Sequence, residues 1–434
     1  MARKSLGIIL AAGLVATAAS AAWAQEYDIT SDPVTLVVWD GETGDAPNIM
    51  LDELNAQFQE MYPNVTIERV TKSFEDLTAT LPLAVSDPNP PDIVPVNYGW
   101  TQMGAMVEAG LLLPLDPYAE QYGWRDRVPA SFIKPHTFSS DGQKFGGDTL
   151  YSFSYAGQWV GVYYNKEKLA ALGLEVPQTC DEFIAAIDAA LEAGELPVQA
   201  GFLEKWPSTH VWEPFENAVV DKEWARDFVY GDNDASFDIP ENIEVATTLQ
   251  DLAARGAFGE NFNGVSVDDA VNQFTAGNGV FFIQGTWFSK GIYDAMGDNV
   301  GIFILPRCDG GDPVATASPG YGYSITAGSD NPDVAAAYLD FITGERAAQI
   351  LVENGSLPAI TVEDPGTNPL LSDILAGWNV LSETDGMVPF QDWAAPPLLQ
   401  NLSVAIQELM EGRITPDEMV DRVQADYESF YADR

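Results

Sequence analysis

The sequence contains few of the side chains that carry enzyme chemistry. Its 434 residues include two histidines, His136 and His210, and two cysteines. It has no H-E-x-x-H zinc motif, no C-x-x-C pair, no G-x-S-x-G nucleophile elbow and no phosphate-binding G-x-x-x-x-G-K-S/T loop. We therefore expect a protein that is not an enzyme and that uses no cofactor or metal at its site.

Positive charge is also scarce. Lys and Arg number 20 against 65 Asp and Glu, and the formal net charge is −45. Such a surface repels nucleic acids and anionic lipids, so neither is an expected partner. Pairs of carboxylates could hydrolyse a glycoside, but a pair has little meaning among so many acids. A secreted glycosidase is kept as the alternative from another class of protein.

Cysteine is limited to Cys180 and Cys308. An oxidising compartment would permit one disulfide between them. Two separate thiols, buried or unreactive, are the alternative. Both arrangements stay open at this point.

Long apolar runs that could span a membrane are absent. The chain begins with Arg3 and Lys4, continues through an apolar stretch from Leu6 to Val15, and reaches Ala22-Trp23-Ala24. This order is typical of a secretory signal peptide at residues 1–24, and its apolar part is too short to cross a bilayer. We expect cleavage after Ala24 and a mature protein in the periplasm that is not embedded in the membrane.

The rest of the chain has the pattern of an α/β protein. Residues 34–39 are a β-rich run, residues 49–61 form an amphipathic helix and residues 65–70 form a second strand. This order predicts a parallel sheet whose carboxyl edge presents loops to a ligand. Residues 159–171 combine an apolar strand, an Asn cap and a short helix, which predicts a crossing between lobes. A chain of this length normally forms at least two lobes.

Three stretches carry a family resemblance. They are Gly142-Gln143-Lys144-Phe145-Gly146 with Tyr163-Tyr164-Asn165-Lys166, then Phe58, Tyr62, Pro63, Val65 and Ile67, and finally Pro91-Asp92-Ile93. Together they resemble the solute-binding proteins of ABC importers, in particular the carbohydrate-binding family 1, which is maltose-binding-protein-like. The resemblance covers nearly the whole chain after the leader, in order.

The resemblance implies a two-lobed periplasmic-binding-protein fold of type II, each lobe a central β-sheet flanked by helices, with several hinge crossings. We expect residues 26–164 and 307–357 in one lobe and residues 165–306 and 358–434 in the other. A neutral mono- or oligosaccharide would bind between the lobes, which close over it, and would pass to ABC permease subunits. The protein is expected to act as a monomer. A cationic solute such as a polyamine is the alternative ligand.

Candidate ligand residues follow from the chemistry of a sugar, whose C–H faces suit aromatic rings and whose hydroxyls suit carboxylates. The candidate rings, with a glycine beside one of them, are Trp100, Trp206, Trp287, Gly320, Tyr321 and Trp393, and the candidate acids are Asp40, Glu42, Asp148 and Glu204. The resemblance places sugar-contacting loops at residues 40–43 and 97–100 and supports the choice of Glu204, Trp206 and Trp287. Each ring could instead pack in a core, and each acid could be a solvated loop charge.

Overall fold

The computed structural model describes residues 27–42, 45–362, 366, 368–432 and 434. The predicted signal peptide, residues 1–24, lies outside these ranges, and so does Thr43 of the first predicted ligand loop. Across the described ranges, no helix is both long enough and apolar enough to cross a lipid bilayer.

Strands and helices alternate along the described part of the chain. Strands β1 to β12, in chain order, are Val34–Asp40, Val65–Thr71, Ile93–Val96, Thr137–Phe138, Thr149–Leu150, Gly157–Asn165, Val198–Gln199, Phe281–Gly285, Val300–Phe303, Ala315–Pro319, Gly322–Ile325 and Met387–Val388. Helices α1 to α18, in chain order, are Asp45–Met61, Phe74–Val85, Met103–Glu108, Asp116–Tyr122, Trp124–Arg127, Ala130–Ile133, Lys166–Ala171, Cys180–Glu192, Pro207–Asn217, Lys222–Tyr230, Pro240–Ala254, Val267–Thr275, Ser289–Met296, Pro332–Ile342, Glu345–Glu353, Pro369–Glu383, Leu398–Met410 and Pro416–Tyr431.

The first sheet confirms the predicted strand, helix and strand unit. β1 pairs in parallel with β2, from Val34 opposite Val65 to Asp40 opposite Thr71. β3 joins β1 in parallel and β11 joins β3 antiparallel, so the order is β11-β3-β1-β2. α1 contributes buried Leu54 to the cluster packed on this sheet. Because β1 and β3 are parallel, the loops that follow them lie at the same edge.

The second sheet is built around β6. This strand pairs antiparallel with β8, β9 and β10, and the order is β12-β10-β6-β8-β7 with β9 also bonded to β6. Trp159, Val162 and Tyr163 are buried along it. The apolar run that predicts a buried strand at residues 159–164 is therefore confirmed.

Sheet pairing corrects the predicted lobe boundaries at two strands. The sequence assigns residues 157–164 to the first lobe, but β6 lies in the second sheet. It also assigns β10 to the first lobe, but β10 pairs with β6. The chain therefore returns to the first sheet at Gly320 and Tyr321, just before β11, and not near Pro306. An apolar run shows that a strand exists but not which sheet it joins. The rest of the division stays a prediction.

Cys180 and Cys308 form a disulfide, with Cα atoms 4.9 Å apart. Cys180 is the first residue of α8, and Cys308 follows β9 in the chain. The bridge joins positions 128 residues apart. Of the two arrangements left open above, the bridged one is present.

The two sheets share a hydrophobic cluster. Val96 of β3 and Val162 of β6 belong to it together with Leu402 of α17 and Val423 of α18. At the carboxyl end of the chain, Arg434 donates a hydrogen bond to Glu108 of α3 at 2.6 Å. The C-terminal helices therefore join both sheets and leave a cleft between their loops.

Candidate functional site

A cleft of about 740 Å³ lies where loops from both sheets meet. The loops after β1 and β3 contribute to it from the first sheet, and the loop after β8 and the start of α9 contribute from the second. Seven of the ten predicted ligand residues line it: Glu42, Glu204, Trp206, Trp287, Gly320, Tyr321 and Trp393. The other three, Asp40, Trp100 and Asp148, lie elsewhere.

Five rings in the cleft form a continuous series. The ring of His210 lies 5.0 Å from that of Trp206 and 5.1 Å from that of Trp287, centroid to centroid. The ring of Phe390 lies 5.6 Å from His210 and 5.1 Å from Trp393. We call these five rings the aromatic wall. Flat apolar faces of this kind match the C–H face of a sugar ring.

Trp287 lies in the short turn Thr286–Phe288 that follows β8, as predicted. Its side chain is half-buried. The ring lies directly against Gly285, where an added Cβ would come within 2.0 Å of it. Because only glycine leaves this space free, the position of the Trp287 ring depends on Gly285.

Glu42 and Tyr321 line the first-sheet side of the cleft. The Tyr155 hydroxyl donates a hydrogen bond to Glu42 Oε1, and the hydroxyl oxygens of Tyr155 and Tyr323 are 3.1 Å apart. Tyr321 packs on Gly41, where a Cβ would lie 2.6 Å from the ring. Burial raises the pKa of Glu42 to about 7, and the hydrogen bond from Tyr155 partly offsets this. Near neutral pH this carboxyl can accept or donate a hydrogen bond.

Asp40 lies beneath the Glu42 loop and not in the cleft, which corrects its predicted position. It is fully buried and accepts hydrogen bonds from Arg69 at 2.7 and 3.0 Å. It also accepts one from the Glu42 backbone N–H at 2.9 Å. Its carboxylate is occupied in holding the loop that carries Glu42. The sequence does not show this, because Arg69 comes from β2.

Trp100 and Asp148 are also placed away from the cleft. Trp100 is 2% exposed and packs edge-on against Phe138 at 5.1 Å. The guanidinium carbon of Arg434 lies 4.1 Å from the centre of the Trp100 ring. Asp148 is exposed, and its backbone carbonyl accepts a hydrogen bond from Arg125 at 2.9 Å. Trp100 is therefore a core residue and Asp148 a surface residue.

Glu204 and Trp206 lie side by side at the entry to α9. Glu204 Oε2 accepts a hydrogen bond at 2.9 Å from the backbone N–H of Val267, the first residue of α12. Trp206 is the N-cap residue of α9. Its indole N–H is buried and has no acceptor among the described residues. Trp206 thus carries an unused hydrogen-bond donor at the edge of the aromatic wall.

Among the cleft residues that the sequence-based set lacks are His210, Phe390 and Asp392, which contribute to the aromatic wall and its acids. His210 lies one helical turn after Trp206, and this spacing was a signal that could have found it. Its Nδ1 donates to Gln284 Oε1 at 2.8 Å, and burial lowers its pKa to about 4, so the ring is neutral at pH 7. Asp392 directly precedes Trp393, and burial raises its pKa to about 7. No local pattern marks Phe390.

The cleft lining offers a ligand both apolar faces and hydrogen-bonding groups. No group of three His, Cys, Asp or Glu side chains in the described ranges is arranged to hold a metal ion. What the cleft offers a ligand is a series of aromatic faces, the carboxyl groups of Glu42, Glu204 and Asp392, and the amide of Gln158. These groups match a ligand that combines apolar faces with many hydroxyls.

Several proteins are similar to this chain in sequence. A multiple sugar-binding protein of Streptococcus mutans is 25% identical over 204 residues, which cover 46% of this chain and 49% of that protein. An uncharacterised ABC transporter extracellular-binding protein of Pyrococcus horikoshii is 26% identical over 285 residues, covering 64% and 62%. The chain thus spans less than two thirds of the length of these two relatives. A galactooligosaccharide-binding protein of Bacillus subtilis is 23% identical over 343 residues, covering 78% and 74%.

Solved structures share the fold. A chitin oligosaccharide-binding protein has a TM-score of 0.78 at 21% identity and covers 92% of this chain and 99% of its own. A solute-binding protein in complex with raffinose has a TM-score of 0.73 at 20% identity, with coverage of 92% and 99%. These two-lobed neighbours confirm the predicted fold class.

The family is shown by a match over most of the chain. Residues 41–349 match the family described as bacterial extracellular solute-binding protein. The match confirms the predicted family and the prediction of a binding protein in place of an enzyme. The chain therefore belongs to the bacterial extracellular solute-binding protein family.

Proposed function

We propose that this protein reversibly binds a mono- or oligosaccharide in the cleft and delivers it to the permease of an ABC importer. The observation that carries this proposal is the aromatic wall beside three carboxyl groups in one cleft of about 740 Å³. Aromatic rings stack on the C–H faces of a sugar, and carboxylates accept hydrogen bonds from its hydroxyls. The volume lies in the range of about 300 to 1,000 Å³ that is usual for small-molecule sites.

The names of relatives support a sugar as the ligand. The relatives include a multiple sugar-binding protein and a galactooligosaccharide-binding protein. The structural neighbours include a chitin oligosaccharide-binding protein and a complex with raffinose. The proposed ligand contacts are the seven predicted residues in the cleft, Glu42, Glu204, Trp206, Trp287, Gly320, Tyr321 and Trp393, with His210, Phe390 and Asp392.

Closure of the lobes would complete the site. Gly320 and Tyr321 line the cleft and also form the crossing between β10 and β11. Movement about such crossings is the usual closing motion of two-lobed binding proteins. Two or three stacked rings, each worth about 1 kcal/mol beyond its buried area, and a few hydrogen bonds are sufficient for roughly micromolar affinity.

A thermal-shift screen tests the proposal. The mature chain, residues 25–434, is mixed with neutral sugars, sugar alcohols, uronic acids and polyamines. We expect at least one sugar to raise the melting temperature, because a ligand at 100 times its Kd adds about 2.7 kcal/mol to the unfolding free energy. Stabilisation by polyamines with no response to any sugar contradicts the proposal. Release of reducing ends from an oligosaccharide beyond one equivalent favours the glycosidase alternative.

The cellular setting is part of the proposal. Delivery to an importer permease requires a protein outside the cytoplasmic membrane, and we propose that this protein is periplasmic, with its leader cleaved after Ala24. The secreted protein should then begin at Gln25, which intact-mass spectrometry of the periplasmic fraction measures directly. We also propose that the protein is a monomer. Light scattering after gel filtration should give the mass of one chain, and a stable dimer would contradict this part of the proposal.

A further inference from the structure

The ionisable side chains that line the cleft are mostly acidic. None of the described residues that line it is Lys or Arg, whereas five are acidic: Glu42, Glu75, Glu204, Asp268 and Asp392. Glu75 and Asp268 are exposed to solvent. Glu42 already accepts the Tyr155 hydroxyl, and Glu204 already accepts a backbone N–H. Of the five acids, Asp392 is therefore the buried one that remains available to a ligand.

Asp392 is a buried acid without a cationic partner. It is 5% exposed, and among the described residues its carboxyl forms no ion pair and is stabilised by its own backbone N–H. Asp392 interacts electrostatically with Glu213, which is fully buried and whose Oε2 has no partner in the described part of the chain. Burial raises the pKa of Glu213 well above its usual value, and the charge of Asp392 raises it further, so Glu213 is neutral at pH 7. The described residues supply no compensating charge to Asp392, so its ionised form is costly until a cation binds beside it.

The side of Asp392 that remains open is the cleft. Its chain neighbours Phe390 and Trp393 belong to the aromatic wall, with ring centroids 5.1 Å apart. A carboxylate beside aromatic faces is a favourable environment for an ammonium group, which gains both a charge-assisted hydrogen bond and cation–π attraction. A cation at this point would stabilise the ionised form of Asp392 and lower its pKa.

We propose that the ligand is a saccharide that carries a basic amine, with its ammonium group bound at Asp392 and its rings stacked on the aromatic wall. This inference rests on the proposed function and narrows its ligand from a neutral sugar to an aminated one. A polyamine would satisfy Asp392 but has no ring face to stack along Trp206 and Trp287. A neutral sugar would stack but would leave Asp392 either protonated or, if ionised, without a counter-charge.

Matched pairs of sugars test this inference. In each pair, one sugar carries an amine where the other carries a hydroxyl, once on every ring: glucose and glucosamine, galactose and galactosamine, cellobiose and the fully deacetylated chitin dimer. Affinities are measured by calorimetry at pH 7.5 and 150 mM NaCl, where Asp392 is mostly ionised, a fraction of each amine is still protonated, and long-range attraction to the acidic surface is screened. In the pair that binds best we expect the amine to bind about tenfold more tightly.

Two variants locate the effect. Asp392→Asn removes the charge and keeps the shape, and it should reduce the preference for the amine to about twofold or less. Asp421→Asn removes one charge from an exposed position on α18 and should leave the preference unchanged. If the amine binds no better than its neutral partner in every pair, or if Asp392→Asn retains the preference, the inference is wrong while the proposed function stands. If no sugar of any pair binds and spermidine does, the proposed function fails as well.

Discussion

At the scale of single residues, the direction of a side chain separates ligand contacts from core. Trp100 and Trp287 both follow strands and both fit the pattern of a loop aromatic. The structure buries Trp100 against Phe138 and leaves Trp287 half-buried in the cleft. Local sequence places the backbone of such a loop, but the direction of its side chain depends on distant partners. For Trp100 one such partner is Arg434.

Trp100→Ala should therefore act on stability and not on recognition. Removing a buried tryptophan costs about 3 to 5 kcal/mol of unfolding free energy. We expect this loss in urea denaturation without ligand and an unchanged sugar affinity in the folded protein. A variant that folds as stably as the wild type but binds sugar poorly would show that Trp100 belongs to the site.

Gly285→Ala should act on recognition through the neighbouring ring. The new methyl group would lie 2.0 Å from the present position of the Trp287 ring, so the ring must move. We expect a loss of affinity on the order of tenfold with little change in fold, measured by calorimetry and circular dichroism. Gly344→Ala is a matched control, because its new methyl group would lie no closer than 3.6 Å to its neighbours and far from the cleft lining. Equal affinities for both variants would contradict the account.

At the scale of elements, local signals were sufficient for helices and strands. Asn165 caps α7 as predicted, and the last helix starts at Pro416 behind Thr415, which forms a capping box with Glu418. The pairing of strands could not be predicted from local sequence, because paired residues of β6 and β10 are more than 150 positions apart in the chain. Apolar runs of this kind look alike in either sheet. For the same reason the cleft could be predicted as a set of loop residues, but not the burial of Asp40 beneath it.

The disulfide gives a test at this scale. It joins α8 to the segment after β9, both outside the cleft lining. Replacing both Cys180 and Cys308 by Ser should lower the unfolding free energy by about 2 to 5 kcal/mol, because the unfolded chain gains freedom. Sugar affinity at 25 °C should stay within about twofold of the wild-type value, since the cleft residues keep their contacts. A large loss of affinity would indicate that the bridge shapes the site.

At the scale of the whole molecule, buried acids set the response to pH. Burial raises the pKa of Glu42 and of Asp392 to about 7 and raises that of Glu213 and Glu216 as well. In the unfolded chain these groups release their protons near pH 4 to 4.5. Between about pH 4.5 and 7 the folded state therefore holds protons that the unfolded state has lost. By linkage, this stabilisation is present at low pH and is lost as the pH rises through the folded pKa values.

The melting temperature should accordingly fall as the pH rises from 5 to 8. Each unit of pKa difference corresponds to about 1.4 kcal/mol per group. Asp392→Asn removes one of these groups and should make the slope shallower, whereas Asp421→Asn at the surface should leave it unchanged. Differential scanning calorimetry in buffers of constant ionic strength measures both slopes. A melting temperature that increases over this range would show that the buried acids are ionised in the folded protein.

The most direct test of the central claim, that the aromatic wall binds a sugar, is calorimetric titration of Trp287→Ala and wild type with the sugar that gives the largest thermal shift. Loss of this ring removes a stacking platform worth on the order of 2 kcal/mol, or roughly thirtyfold in affinity. We expect one site in the wild type, binding about thirtyfold weaker in the variant, and similar melting temperatures without ligand. Equal affinities, with a variant that melts far earlier than the wild type, would make Trp287 a packing residue and contradict the site described above.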